Sequence, residues 1–138
     1  MRTLNCGDVV SVAFDYTYLL ASGSGDSTVK LWDKNSGNQL RSLTGHTSYV
    51  SAVAFDLNIM LASGSRDNTI KLWDKNSGVL LRTLTGHGGR VWSVAFDSTH
   101  LVASGSWDNT IKIWNKNSGD LLWTLTGHIK SHLTPVIC

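Results

Sequence analysis

Residues 61–78 read LASGSRDNTIKLWDKNSG, and nearly the same stretch occurs at residues 20–37 and 102–119. The copies begin at residues 20, 61 and 102, so their spacing is 41 residues. A fixed period of this length predicts a repeat architecture in which each unit is one supersecondary element. The period divides the chain into units at residues 9–49, 50–90 and 91–131, which we treat as one domain spanning residues 1–138.

Each unit contains four short segments with the composition of β-strands. In the second unit they are VSAVAF, MLASGS, TIKLWD and LLRTLT, which are rich in β-branched and aromatic residues. The tetrapeptide KNSG at Lys34 to Gly37, Lys75 to Gly78 and Lys116 to Gly119 supplies turn residues, with a glycine able to adopt positive φ. No segment has a helical period. The sequence therefore predicts an all-β chain of four-stranded antiparallel units.

The combination TGH, VAF, LASGSxDNTIKLWD and KNSG resembles the WD-repeat family, and the resemblance covers nearly the whole chain. It implies β-propeller blades, here about three four-stranded antiparallel blades that form an open arc or part of a larger ring. One departure lies in the turn after VAF. It reads DYTY, DLNI or DSTH, where the family usually has a turn one residue longer.

The resemblance also implies that four side chains of each complete unit meet in one hydrogen-bonded network. The expected members are His46, Ser63, Asp67 and Trp73 in the second unit, and His87, Ser104, Asp108 and Trp114 in the third. An indole N–H donates, a hydroxyl donates and accepts, an imidazole bridges and a carboxylate accepts, so the set leaves no polar atom unpaired. We choose Ser63 over Ser65 because we expect it opposite Trp73 when the strands pair about the Asp67-Asn68 turn.

Serine, histidine and aspartate are also the residue types of a nucleophilic triad. We prefer the structural role, because the set recurs beside a tryptophan in each complete unit, whereas catalysis needs one site with a cleft and an oxyanion hole. The chain is therefore expected not to be an enzyme. A hydrolase using Ser63 or Ser104 is the competing hypothesis. We expect no cofactor and no metal site, because Cys6 and Cys138 match no metal-ligand spacing and no phosphate-binding glycine loop occurs.

The first unit and the C-terminal segment are incomplete. The segment RTLNCGDVV before the first unit has no histidine, so its network is expected to be partial. His128 is followed by only ten residues, and the serine, aspartate and tryptophan set of a fourth unit is missing there. Three blades do not close a ring, which takes four to eight. Either the chain is a fragment of a longer propeller, or a homo-oligomer completes the ring. We favour the fragment, because a ring closed in the family's way would have a last blade without its second and third strands, and because Pro135 weakens the terminal strand.

Function is expected where the three units differ, because shared positions stabilise the repeat. The differing positions are Asp8, Tyr49 and Arg90 before the first strand, Val10, Ser51 and Trp92 within it, and Gly25, Arg66 and Trp107 before the shared aspartate. The resemblance implies that they face the surface around the central channel. Tryptophan, tyrosine and arginine are the residue types most enriched at binding hot spots.

These differences predict a protein or peptide partner bound by Trp92, Trp107, Arg66, Arg90 and Tyr49. Packing of the tryptophans against neighbouring loops and ordinary solvation of the arginines is the alternative without function. A second functional alternative is an anionic ligand, such as a phosphopeptide or a lipid headgroup, bound by Arg66 and Arg90. Trp123, where the other units have Arg41 and Arg82, is a weaker candidate for a contact.

Composition and charge argue against nucleic-acid and membrane partners. A net charge of +2 and a charged fraction of 16% give no electrostatic argument for a nucleic-acid partner. No run of about 18 apolar residues could span a membrane, and the first residues lack the apolar stretch of a signal peptide. We therefore expect no membrane partner and a cytoplasmic or nuclear location.

Overall fold

The computed structural model describes residues 8–127, and all regular elements in that range are β-strands. They form three four-stranded antiparallel sheets, each with its strands in sequence order. The first sheet contains β1 (Val9–Phe14), β2 (Leu19–Ser24), β3 (Val29–Asp33) and β4 (Gln39–Leu43). The second contains β5 (Val50–Phe55), β6 (Met60–Ser65), β7 (Ile70–Asp74) and β8 (Leu80–Leu84). The third contains β9 (Val91–Phe96), β10 (Leu101–Ser106), β11 (Thr110–Asn115) and β12 (Leu121–Thr126).

The predicted all-β fold of four-stranded antiparallel units is confirmed, and the strand bounds agree with the sequence to within one residue. Within residues 8–127 no helix is long and apolar enough to cross a membrane. Each KNSG turn ends on a glycine with positive φ, 76° at Gly37, 78° at Gly78 and 80° at Gly119, as the turn chemistry predicts.

Two further turns in each unit are closed by an aspartate. The shorter turn after VAF is capped by its first residue: in the first unit, one carboxylate oxygen of Asp15 accepts the N–H groups of Thr17 and Leu19, both at 2.9 Å. The turn between the second and third strands holds a residue in the left-handed region, with φ at 74° for Ser27 and 75° for Asn68. Local side-chain bonds of this kind are why aspartate and asparagine favour turns.

The core lies between consecutive sheets and not within one sheet. The first cluster combines Val29, Leu31 and Leu43 of the first sheet with Val50, Val53 and Trp73 of the second. The second cluster repeats this arrangement one unit later, with Ile70, Leu72 and Leu84 packed against Val91, Val94 and Trp114. Since each blade presents one face to the preceding blade and the other to the next, one type of interface occurs twice within residues 8–127.

Glycines in the second strands allow the sheets to approach closely. A Cβ atom on Gly23 would lie 2.8 Å from a methyl carbon of Val50, and one on Gly64 would lie 2.7 Å from a methyl carbon of Val91. No side chain fits at such distances. Each of these glycines is therefore a socket for the first valine of the next sheet.

Candidate functional site

The four polar residues that the second unit was expected to bring together form a continuous chain of hydrogen bonds. Trp73 donates from Nε1 to Ser63 Oγ at 2.8 Å, and Ser63 Oγ lies 2.7 Å from His46 Nε2. The other imidazole nitrogen, Nδ1, lies 2.8 Å from Asp67 Oδ2. The indole and the imidazole meet edge to face, with ring centroids 6.4 Å apart.

The third unit repeats this geometry. Trp114 donates to Ser104 at 2.9 Å, Ser104 lies 2.7 Å from His87, and His87 lies 2.8 Å from Asp108. The serine is the expected one, but the expected pairing was wrong. Ser63 pairs with Lys71, and Trp73 pairs with Leu61. The indole therefore reaches Ser63 diagonally, as a long side chain does between positions two residues apart on adjacent strands.

In one assignment of the protons every donor and acceptor of the network in the second unit is paired. Ser63 Oγ accepts the indole proton and donates its own to His46 Nε2, so the imidazole is neutral and carries its proton on Nδ1, which donates to Asp67. Burial lowers the pKa of His46 below 6.5, outweighing the hydrogen bond to Asp67, which raises it. The charged imidazolium would remove an acceptor from this chain.

The carboxylates are held ionised. Burial by itself raises the pKa of Asp108, but hydrogen bonds from Thr110, from His87 and from the backbone N–H groups of Gly88 and Thr110 lower it to about 2. The Thr110 hydroxyl donates to Asp108 at 2.6 Å. Among the described residues no buried side-chain polar atom lacks a hydrogen-bond partner.

The first unit has a partial network, as its missing histidine predicts. Trp32 donates to Ser22 at 3.0 Å. Asp26 binds the Thr28 hydroxyl at 2.6 Å and the Lys30 ammonium at 3.1 Å. The other incomplete set, at His128, lies outside the described residues.

The Ser-His-Asp order has the distances of a triad, but its surroundings differ from those of a nucleophile. Ser63 has no exposed surface and already accepts the indole proton of Trp73. Ser104 is 1% exposed and equally bonded to Trp114. A substrate carbonyl has to reach the oxygen that attacks it. In this arrangement the buried polar groups of each set satisfy one another.

Sequence reasoning missed a second set of polar links between blades. Lys75 of the second unit binds Asp15 of the first at 3.1 Å, and Lys116 of the third binds Asp56 of the second at 2.9 Å. Both aspartates are buried. Each pair joins the first residue of a DYTY-type turn to the lysine of the KNSG turn in the following unit. The signal was available, because both residue types recur with the period of 41, but only the sheet packing brings them together.

The loop positions where the units differ contain two stacked pairs. The guanidinium carbon of Arg66 lies 4.4 Å from the ring centroid of Tyr49, and that of Arg90 lies 5.2 Å from the ring of Trp107. An equivalent backbone hydrogen bond supports each pair. The Arg66 N–H donates to the carbonyl of Tyr49, and the Trp107 N–H donates to the carbonyl of Arg90, each at 2.9 Å. We call these four residues the arginine–aromatic cluster.

The first unit continues this row of loops with small or acidic residues. The Gly25 N–H donates to the carbonyl of Asp8 at 2.8 Å, and the Tyr49 ring lies against Gly25, about where a side chain would begin. Since residues 66 and 90 follow residues 25 and 49 by one repeat, the period predicts that Arg90 lies beside Arg66 as Tyr49 lies beside Gly25. The cluster therefore spans two adjacent blades.

The remaining two aromatic candidates lie elsewhere. Trp92 is the extra residue of a β-bulge, because Ser93 pairs with Gly105 while Val91 pairs with Ser106. Its ring lies beside Gly105 and lines a cavity of about 250 Å³ on the outer face of the third sheet. Trp123 is exposed on β12. Its counterparts Arg41 and Arg82 donate to the backbone of the next KNSG turn.

No group of three or more histidine, cysteine, aspartate or glutamate side chains in residues 8–127 is placed to hold a metal ion. The family model described as WD domain, G-beta repeat matches residues 1–33, 37–74 and 78–115, which together make up most of the chain. The chain belongs to the WD-repeat family. WD repeats generally mediate protein–protein interaction and act as non-catalytic scaffolds.

The segments matched by the WD family model do not coincide with the four-stranded sheets. The second and third matches begin in a KNSG turn and end after the Trp-Asp or Trp-Asn pair, so each combines the last strand of one sheet with three strands of the next. The match at residues 37–74 contains the whole network from His46 to Trp73. One WD repeat therefore links two neighbouring blades.

Curated relatives match only short parts of their own length. The probable serine/threonine-protein kinase PkwA of Thermomonospora curvata is 48% identical over 46 residues, which are 33% of this chain and 6% of that protein. The nuclear distribution protein PAC1 of Coprinopsis cinerea is 54% identical over 33 residues, 24% of this chain and 8% of that protein. Each matched segment thus spans less than a tenth of the relative's own length.

Solved structures match the WD fold over most of this chain. The computationally designed Ika8 protein has a TM-score of 0.80 at 37% identity and covers 87% of this chain and 37% of its own. The structure of U3-55K has a TM-score of 0.88 at 29% identity and covers 92% of this chain and 42% of its own. The match thus covers less than half of each of these solved chains.

Proposed function

We propose that this chain is a non-catalytic scaffold that binds a peptide or protein partner at the arginine–aromatic cluster. The observation that carries the proposal is the stacking of Arg66 on Tyr49 and of Arg90 on Trp107, at positions where the repeats differ. Stacking on a ring holds a guanidinium plane in place, which reduces the conformational entropy that binding would otherwise remove. The cluster is thereby pre-organised for contact.

Its composition supports the same proposal. Tryptophan, tyrosine and arginine dominate the binding energy of protein interfaces, because each combines a large apolar surface with hydrogen-bond donors. Tyr49 and Arg90 are exposed, while Trp107 and Arg66 are half-buried. A partner would add to a packed surface and not to mobile side chains. Trp92, which borders Gly105 instead, we assign to the outer face of the third sheet.

A peptide selected from a phage-displayed library on the immobilised chain provides the probe. We expect Trp107→Ala to raise the dissociation constant of this peptide by roughly 30-fold, which corresponds to a hot spot of about 2 kcal/mol. Trp123→Ala is the matched control, because Trp123 is an exposed tryptophan outside the cluster. It should leave affinity unchanged. Binding that depends on Trp123, or that survives Trp107→Ala, would contradict the proposal.

An anionic ligand is the second candidate. The repeat brings two arginines, Arg66 and Arg90, to equivalent positions on neighbouring blades, and guanidinium groups bind phosphate and carboxylate oxygens with charge-assisted bonds. A serine peptide and its phosphorylated form distinguish the two functions. A phosphopeptide that binds more tightly, and loses that advantage as salt is raised, supports the anionic ligand. Equal affinity at all salt concentrations supports the neutral peptide.

The proposal of a non-catalytic role rests on the burial of both candidate nucleophiles, Ser63 and Ser104. A panel of ester and peptide substrates is expected to give no turnover. Turnover that disappears on replacing either serine with alanine, in a variant that is still folded by its unfolding curve, would establish the hydrolase instead.

A further inference from the structure

The outer face of the third sheet is exposed at positions that are buried in the first two sheets. Leu125 is 48% exposed, whereas its equivalents Leu84 and Leu43 are 2% and 4% exposed. On the same face Ile111 and Ile113 are half-buried, although the equivalent residues of the other sheets are at most 1% exposed. This face therefore has the sequence of a blade interface without a blade against it in residues 8–127.

The first sheet is exposed on its opposite face. Val9 and Val12 are 42% and 59% exposed, whereas their equivalents in the second sheet, Val50 and Val53, are 0% and 7% exposed. The two open faces are thus different. The open face of the third sheet corresponds to the face on which the next blade packs. The open face of the first sheet corresponds to the face that packs on the preceding blade.

The contacts within the chain show how two such faces fit. Gly23 receives Val50 and Gly64 receives Val91, each at a distance that excludes a side chain on the glycine. Gly105 is the third socket, and a Cβ atom there would meet nothing closer than 3.6 Å. The matching valine is Val9 at the other end.

Ion pairs between consecutive blades recur in the same way as the glycine sockets. The pairs Lys75 with Asp15 and Lys116 with Asp56 join consecutive blades. One lysine and one aspartate of this series are left at the two open faces, Lys34 on the first blade and Asp97 on the third. Both are exposed, whereas the paired aspartates are buried. An exposed cation at one end therefore corresponds to an exposed anion at the other.

We propose that two copies of this chain associate head to tail, with the first blade of each copy docked on the third blade of the other. Val9 of one copy enters the Gly105 socket of the other copy, and Lys34 pairs with Asp97. Propellers close with four to eight blades. Two copies give a ring of six blades, while three copies would give nine. Both ends of both copies are then covered, as in a closed two-fold assembly.

Trp92 is positioned to respond to this docking. Ser51, at the same position one blade earlier, donates a hydrogen bond to the carbonyl of Val91 of the next blade, so this position belongs to the interface. The Trp92 ring lies beside the Gly105 socket and must turn aside when Val9 enters. Association should therefore change the environment of this indole.

Sedimentation velocity of the whole 138-residue chain over a concentration range tests the proposal. We expect a concentration-dependent dimer with twice the chain mass of 15.0 kDa. Gly105→Val fills the socket, where an added Cβ atom would meet nothing closer than 3.6 Å inside the copy, and should leave a monomer. Gly88→Val is the matched control, because no atom lies within 4 Å of a Cβ there and the equivalent Thr47 is β-branched. This control should dimerise like the original chain.

Charge reversal tests the head-to-tail geometry. Lys34→Glu and Asp97→Lys each place like charges at both interfaces of a homodimer, so each variant alone should associate at least about tenfold more weakly. A mixture of the two variants can form a ring with one native and one reversed pair, and should regain dimerisation. This recovery also shows that both variants are folded.

Three results would overturn the proposal. One is a monomer at all concentrations. Another is an open-ended series of larger species. The third is a dimer that Gly105→Val leaves intact or that the mixture of charge variants fails to restore.

Discussion

Replacing Ser63 with alanine removes the centre of the network in the second blade. Two buried groups then lose their partner, the indole N–H of Trp73 and the Nε2 acceptor of His46. A buried polar group without a partner costs about 1–3 kcal/mol, so the variant should lose roughly 2–6 kcal/mol of unfolding free energy. Since domains are stable by about 5–15 kcal/mol, this loss is a large fraction of the total.

The first blade provides the matched control. Ser22 is equally buried on the equivalent strand, but it serves only Trp32, because the first unit has no histidine. Ser22→Ala should therefore cost about 1–3 kcal/mol, one orphaned group instead of two. The difference between the two variants, about 1–3 kcal/mol, isolates the contribution of the histidine.

Urea unfolding followed by tryptophan fluorescence measures both variants, with the free energy taken from midpoint and slope. Trp73→Phe, measured alone and together with Ser63→Ala, completes a double-mutant cycle. With the indole donor gone, the serine replacement should cost less by about one orphaned group. Equal losses for Ser22→Ala and Ser63→Ala would refute the view that the histidine is held through the serine, and a vanishing coupling between Trp73 and Ser63 would refute the stabilising bond between the indole and the serine.

Three further predictions concern pH, packing and backbone conformation. Because burial lowers the pKa of His46 in the folded state, stability is fully present above pH 6.5 and should fall as pH drops below that value, since only the unfolded chain takes up the proton there. Carboxylates such as Asp108, whose folded pKa is about 2 against an ordinary 3.8, should add a second loss of stability between these two pH values. Urea midpoints from pH 8 to 3 measure both losses. Greater stability at pH 5 than at pH 7.5 would contradict the loss assigned to His46. Gly64→Ala should destabilise by about 1–3 kcal/mol, because its Cβ would meet a valine methyl of the next sheet at 2.7 Å, while Gly105→Ala, which meets nothing closer than 3.6 Å, should be nearly neutral in urea unfolding of the monomer. Ser27→Gly should raise the thermal midpoint, by about 0.5–1 kcal/mol in free energy, because Ser27 has φ of 74°; an unchanged or lower midpoint would show that the serine is not strained.

The strands were predictable because their evidence is local. Alternating apolar residues and the KNSG and Asp-Asn turns mark each strand end, and the period of 41 places the units in register. The network residues were named from the family resemblance, and Ser63 was chosen correctly on a pairing that the structure does not have. Ser63 would be chosen whether it contacts Trp73 diagonally or lies directly opposite it, so the correct choice does not validate the pairing from which it was made.

Features that depend on how sheets meet were not predictable. Lys116 and Asp56 are 60 residues apart, and nothing in either turn indicates that they touch. The β-bulge that turns Trp92 toward Gly105 is likewise invisible in the sequence, because VWSVAF reads as an ordinary alternating strand. Local pattern determines strands and turns, whereas long-range pairs follow from the angle between blades.

The central claim is that the Ser-His-Asp sets hold the blades together and that the arginine–aromatic cluster binds the partner. The six tryptophans report on these regions separately in one titration of the ¹⁵N-labelled chain with the selected peptide. The account predicts that the indole N–H resonance of Trp107 shifts with peptide concentration, while those of Trp73 and Trp114 in the networks and of Trp123 on the outer strand stay in place. A titration that shifts Trp123 or the network indoles and leaves Trp107 unchanged would contradict it.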